Sequence, residues 1–233
     1  MKITSPEPVF GLLLLFDGII AIVAGLFVFN RDRKYELNQL IAGTMVFFSL
    51  FFIFEGLIYI LPLTLLNVFD LLRASSLVSA VIAATLAAIA SLFVWKGKTF
   101  ITQRKNLGLF SILGIIAVAA IAVDSRVIYD NVGDSISFEN GLIGLTGAFV
   151  IPIFLIIITL IGFLQTLQTV EKTDPVYRRL LFLTVSLVLI IIGQVYYAVL
   201  EALDMREGIV GMGGHVFYTG ASLLLMYAFS KRK

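Results

Sequence analysis

Three side chains with acid–base chemistry stand deep inside apolar runs of this sequence. Asp17 lies in "LLLLFDGIIAI", Glu55 in "FFIFEGLIYI", and His215, the single histidine of the chain, in "GMGGHVFYTGASLLLMYAF". A carboxylate beside an imidazole can hold it charged, fix its tautomer or pass it a proton. We therefore expect Asp17 or Glu55 to pair with His215. Other polar groups accompany these three at helical spacing. Tyr59 stands one turn beyond Glu55. Gln194, Tyr197 and Glu201 are three and four residues apart and share one face, as do Gly211, His215, Tyr218 and Ser222. Ser75, Ser76 and Ser79 follow Arg73, and serines in helices often bond their own backbone instead.

The same inventory excludes chemistry. With no cysteine there are no disulfides, thiolate metal sites or cysteine nucleophiles. One histidine cannot assemble a bis-histidine haem or a three-histidine zinc site. A Glu55/His215 pair without a nucleophile or metal specifies no reaction, and no Gly-x-Gly-Asp motif of intramembrane proteases occurs. The reading is that the protein is not an enzyme and needs no cofactor.

The elements that position these residues are transmembrane helices. Apolar residues make up 60% of the chain and charged ones 14%, the mean hydropathy is +1.04, and the apolar residues come in long blocks. Seven blocks, at roughly 9–29, 38–61, 71–95, 107–123, 142–166, 179–201 and 208–229, are long enough to cross about 30 Å of hydrocarbon. The run after Pro8 is too long for a cleavable signal peptide, and its basic cluster follows rather than precedes it. Thirteen of the seventeen Lys and Arg lie in "NRDRKYE", "KGKTFITQRKN", "TVEKTDPVYRR" and the terminal "KRK". The positive-inside rule makes these segments cytoplasmic, with the amino terminus outside and the carboxy terminus inside, as an odd number of spans requires. The net charge of +2 is too small for a nucleic-acid footprint. The "KRK" tail suits anionic headgroups instead.

The expected fold is an all-α integral membrane protein, a single seven-transmembrane bundle over 1–233. Its outer acidic loop, 124–141, reads as two short arms around "DNVGD", a β-hairpin with an Asn/Gly turn. Asp130, Asn131 and Asp134 lack the spacing of a calcium loop, and a plain turn accounts for them. Gly11, Gly18 and Gly25 recur every seven residues, and Gly141, Gly144 and Gly147 open the fifth span; both suggest close helix packing. Pro152 should distort the fifth span. Spans 1–3 and 5–7 share a pattern of helix, basic loop, helix with an outer glutamate, short linker and helix. This suggests a 3+1+3 parallel pseudo-repeat, although hydropathy alone produces the same pattern.

By this topology Asp17, Glu55, Tyr59, Gln194, Tyr197, Glu201, His215 and Tyr218 all fall in the outer half of the membrane. The inner halves ("LFVF", "AIASLFVW", "LIIITLIGF") are nearly featureless. A shared ligand pocket open to the outside is the expectation. Its competitor is that each polar group is simply satisfied inside the bundle, with the tyrosines as interfacial belt residues.

Microbial rhodopsins have this topology, but they need a lysine in the last helix and 208–229 holds none. The segments "FNRDRKYELNQLIAGTMVFFSLFFIFEGLIYIL" and "DPVYRRLLFLTVSLVLIIIGQVYYAVLEALD" resemble the seven-helix sensor region of some prokaryotic histidine kinases. That resemblance covers the seven spans and rests on hydropathy and loop style. It implies an outward sensory pocket coupled to a cytoplasmic output; with no kinase after "KRK", a separate partner would carry it. The three-plus-one-plus-three sugar transporters are a further comparison, but they carry a proline in the first helix of each triplet, and here only span 5 has one. The functional expectation is a sensor-like protein of the cell membrane that signals through a membrane or cytoplasmic partner. The alternatives are an accessory subunit of a membrane complex and a small-solute or ion transporter. Membrane lipids are the expected surroundings, and a homo-oligomer is open.

Overall fold

A computed structural model describes residues 2–3, 8–62, 65–130, 135–202 and 213–230. In chain order the elements are β1 (Lys2–Ile3), α1 (Pro8–Arg31), α2 (Glu36–Ile60), α3 (Leu66–Lys96), a short α4 (Lys98–Thr102), α5 (Arg104–Asp124), β2 (Ser125–Asp130), β3 (Ser135–Asn140), α6 (Leu142–Thr169), α7 (Pro175–Ala202) and α8 (His215–Ser230). Five of these helices, α1, α2, α3, α6 and α7, are long and apolar enough to cross a membrane. The protein is thus a multi-pass membrane protein with lipid against its apolar helix faces. The apolar part of α5, Gly108–Asp124, is shorter, and α8 has 16 described residues.

Helices α1, α2, α3, α6, α7 and α8 contact one another in that cyclic order, α8 returning to α1, while α5 packs outside the ring against α3 and the start of α6. Phe48, Phe52, Phe163, Leu180, Leu183, Tyr218 and Leu225 fill the interior. A second cluster, with Val81, Phe110, Ile121 and Leu155, fastens α5 to α3 and α6.

At one end of the bundle the arms of the 124–141 loop are strands. β2 pairs antiparallel with β3 from Ser125↔Asn140 to Asp130↔Ser135, and β1 adds to the other edge of β3 through Lys2↔Ser137 and Ile3↔Ile136. The helical bundle therefore carries a small three-stranded sheet of order β1-β3-β2. The turn at 131–134, with Asn131 and Asp134, lies outside the described residues, as does the "KRK" tail. Among the described residues no three His, Asp or Glu side chains gather to hold a metal ion.

The heptad glycines of α1 face α2. A Cβ added at Gly11 would lie 2.7 Å from the Gly56 carbonyl oxygen, one at Gly18 3.2 Å from that of Ser49, and one at Gly25 3.2 Å from that of Ala42. Ala42, Ser49 and Gly56 are themselves seven residues apart, so two antiparallel heptads of small residues interlock and bring the two backbones together. Between helices in lipid, such close packing replaces the hydrophobic effect as the source of attraction. Ser49 serves this contact by size, since its buried hydroxyl has no hydrogen-bond partner.

One helix starts earlier than expected, and another is distorted at its proline as expected. α3 begins at Leu66 rather than near 71, so Arg73 lies two turns inside the helix and not at its first turn. In α6 a π-helical turn, Thr146–Val150, precedes Pro152, with the Ile151 amide bonding the Thr146 carbonyl. The proline ring crowds the carbonyl four residues back and supplies no N–H, and a wider turn relieves both. Gly147 in that turn lets α5 approach, for a Cβ there would lie 2.5 Å from the Ala117 carbonyl oxygen.

Candidate functional site

The expected carboxylate–imidazole pair is Asp17 with His215. Nδ1 of His215 and Oδ2 of Asp17 are 2.5 Å apart, and the Thr219 hydroxyl donates to Oδ1 at 2.6 Å. Helical spacing places His215 and Thr219 on successive turns of one face of α8, so both reach the same carboxylate. Asp17 thus faces the first turn of α8, where the helix dipole is positive and favours an anion. Asp17 is 2% exposed and His215 5%, so the pair is held out of water. A buried carboxylate in a bilayer is tolerated only when a partner of this kind satisfies it.

The α1–α8 contact has a second fastening. Arg31 Nη1 donates to the Phe229 carbonyl at 2.6 Å, and its guanidinium lies 5.8 Å from the Phe229 ring centroid. Residues 17 and 215, and residues 31 and 229, share an offset of 198. First and last helices therefore run parallel and in register, clasped at two levels about 21 Å apart.

Glu55 does not pair with His215. Its Oε1 accepts from Arg73 Nη1 and from the Ser76 hydroxyl at 2.7 Å, which joins α2 to α3. The early start of α3 is the reason, because it delivers a long cationic side chain to the depth of Glu55. Ser79 bonds the Ser75 carbonyl of its own helix, so Ser76 serves the charge cluster while Ser79 bonds its own backbone.

An aromatic ladder connects the two ion pairs. The Phe10 ring packs edge-on against His215 at 5.1 Å and against Tyr59 at 4.7 Å. Tyr59 stands one turn above Glu55 on α2, and one turn below it Phe52 meets Tyr218 at 4.8 Å. Tyr218 also meets Phe48 and is buried in the central cluster. Phe10 was not singled out in the sequence; only the seven-residue step to Asp17 placed it on that face.

Asp17, Glu55, Tyr59, His215 and Tyr218 thus come together in one region, as two partnered charge clusters with aromatic rings between them. Gln194 is exposed on α7 and takes no part in either cluster. The side chains of Tyr197 and Glu201, and all of Gly211, lie outside the described residues. Toward the other end, the buried hydroxyls of Thr159, Thr166, Thr184 and Ser186 each bond a carbonyl one turn back in their own helix. They are therefore engaged locally.

No protein-family model matches this sequence, and no curated protein is similar to it.

Proposed function

We propose that the chain is a seven-span protein of the cell membrane, amino terminus outside and carboxy terminus cytoplasmic, that works as a non-enzymatic sensor coupled to a membrane or cytoplasmic partner. The observation that carries this reading is the buried Asp17–His215–Thr219 clasp between first and last helices. A buried ion pair contributes little net stability over an apolar seam of equal volume. Its use at this contact favours a role as a latch, which a signal at the outer face releases by competing for one member. The parallel register passes such a release down α1 and α8 to the Arg31–Phe229 contact near the basic end. The likeness of the spans to kinase sensor regions agrees with this reading, and the neighbour order, α3 against α6 and α8 against α1, suits a 3+1+3 arrangement.

The test is a distance measurement between spin labels at Lys34 and Lys172, both exposed at the basic end, in lipid nanodiscs. A latch predicts that Asp17→Asn shifts or splits the distance distribution while helicity is retained. An unchanged distribution in a folded variant sinks the sensor reading.

A second reading, an accessory subunit of a membrane complex, is favoured by the mutual satisfaction of both ion pairs and by the interlocked α1–α2 seam. It expects a fixed label distance and stoichiometric co-purification with other membrane subunits. Transport is the weakest of the three, because the hydroxyls toward the basic end bond their own helices.

A further inference from the structure

On one face α5 meets α6 tightly. At the sheet end Gly147 approaches Ala117, and the Asp124 carboxylate accepts from the amides of Ile143 at 2.9 Å and Gly144 at 3.0 Å. On another face of the same stretch, α5 and α3 part and leave a groove of about 510 Å³. Val81 and Thr85 of α3 and Ser111, Gly114, Val118 and Ala122 of α5 contribute to its walls. A Cβ added at Gly114 would meet nothing within 4 Å. Thr85 bonds the Val81 carbonyl of its own helix at 2.8 Å, while the exposed Ser111 brings a hydroxyl to the rim.

The two ends of this groove differ in charge. Beyond Ser111, toward the start of α5, lie the exposed Lys96 and Lys105, with the Lys96 ammonium 3.6 Å from the Trp95 ring centroid. A tryptophan–lysine pair of this kind marks headgroup depth. At the opposite end stands the Asp124 carboxylate, which repels an anion. Lys105 and Ser111 are six residues apart, about 9 Å along the helix, a gap that a long lysine side chain helps to close. From Ser111 to Ala122 is about 16 Å along the helix, a length that an extended acyl chain can fill.

We propose that the α3–α5 groove binds one acyl chain of an anionic phospholipid, with its phosphate on Lys96 and Lys105 and an ester carbonyl accepting from Ser111. The site takes a lipid by headgroup charge as well as by apolar fit, and so differs from the general lipid contact of the other helix faces. It stands independently of the sensor reading.

The test is native mass spectrometry of the full chain released from nanodiscs of equal phosphatidylglycerol and phosphatidylcholine with matched acyl chains. The expected result is one retained phosphatidylglycerol per chain. Lys96→Gln and Lys105→Gln should each lower its retention about fivefold. Gly114→Phe, whose side chain enters open space, should abolish retention with helicity unchanged. Equal retention of the two lipids, or retention indifferent to Gly114→Phe, overturns the proposal. So does a dimer mass that Gly114→Phe converts to monomer, for the groove would then belong to a second copy. Should Gly114→Phe fail to fold, the two lysine variants decide alone, since both side chains are exposed.

Discussion

Asp17 and His215, 198 residues apart, are hydrogen-bonded to each other at 2.5 Å, and the Arg31–Phe229 contact repeats that separation. Removing one member leaves the other buried without its partner, which costs about 1–3 kcal/mol. Asp17→Leu and His215→Leu should each lower the unfolding temperature sharply in detergent or bicelles, while the double variant recovers most of the loss. Thr219→Val should cost about 0.6–2 kcal/mol. Additive losses in the double variant would refute the pairing.

The Glu55 cluster should respond asymmetrically. Arg73→Leu strands a buried carboxylate, whereas Glu55→Gln keeps a group that can still accept from Arg73 and Ser76. The first is expected to cost about 3–5 kcal/mol and the second clearly less, by the same unfolding measurement. Ser76→Ala should fall at about 0.6–2 kcal/mol.

The interlocked seam gives a signed prediction. Gly11→Ala brings a Cβ to 2.6 Å from Ile60 Cγ1, and such overpacking costs about 1–3 kcal/mol. Ser49→Ala removes a buried hydroxyl that has no hydrogen-bond partner, so stability should hold or rise by up to about 1 kcal/mol. Gly108→Ala, with open space around it, should be neutral or mildly stabilising through helix propensity.

Asp124 carries a local prediction. Its carboxylate caps the start of α6 and its carbonyl accepts from the Gly141 amide at 3.1 Å. Asp124→Ala should cost about 1 kcal/mol, while Asp124→Asn retains most of the cap. Amide exchange at Ile143 and Gly144 reads this directly, and equal protection in both variants would contradict it.

The absence of cysteine makes the proposed topology easy to test. Single cysteines at Lys34, Lys98 and Lys172 should resist an impermeant maleimide applied to intact cells, while one at Ser137 should react. Labelling of any of the first three from outside would overturn the orientation.

Residue type and spacing carried the multi-pass helical character, the heptad glycines and a carboxylate partner for His215, though not which of Asp17 and Glu55, because each is a local pattern or a shortage of alternatives. One histidine and few buried carboxylates leave little to choose from. The partner of Glu55 was not legible, since it depends on where α3 begins, and helix ends are set by contacts several residues away. Placing the span start near 71 left Arg73 at its edge and hid the nearest cation. Gln194 shows the opposite error. Helical spacing put it on a face with Tyr197, but nothing in spacing says whether that face turns to the core or to lipid. The double role of Asp124 was equally hidden, because a carboxylate at a strand start becomes a helix cap only after the hairpin returns the chain.

The clasp between first and last helices also orders the protein's synthesis. α1 reaches the membrane carrying Asp17 when almost the whole chain is still to be made. The small-residue seam lets α1 and α2 close as a hairpin at once, but that hairpin offers Asp17 no cation. The carboxylate waits for its partner until His215 leaves the ribosome, and any chain broken off earlier keeps an unmatched acid in its first helix. Burial of Asp17 is therefore completed only when α8 docks on α1.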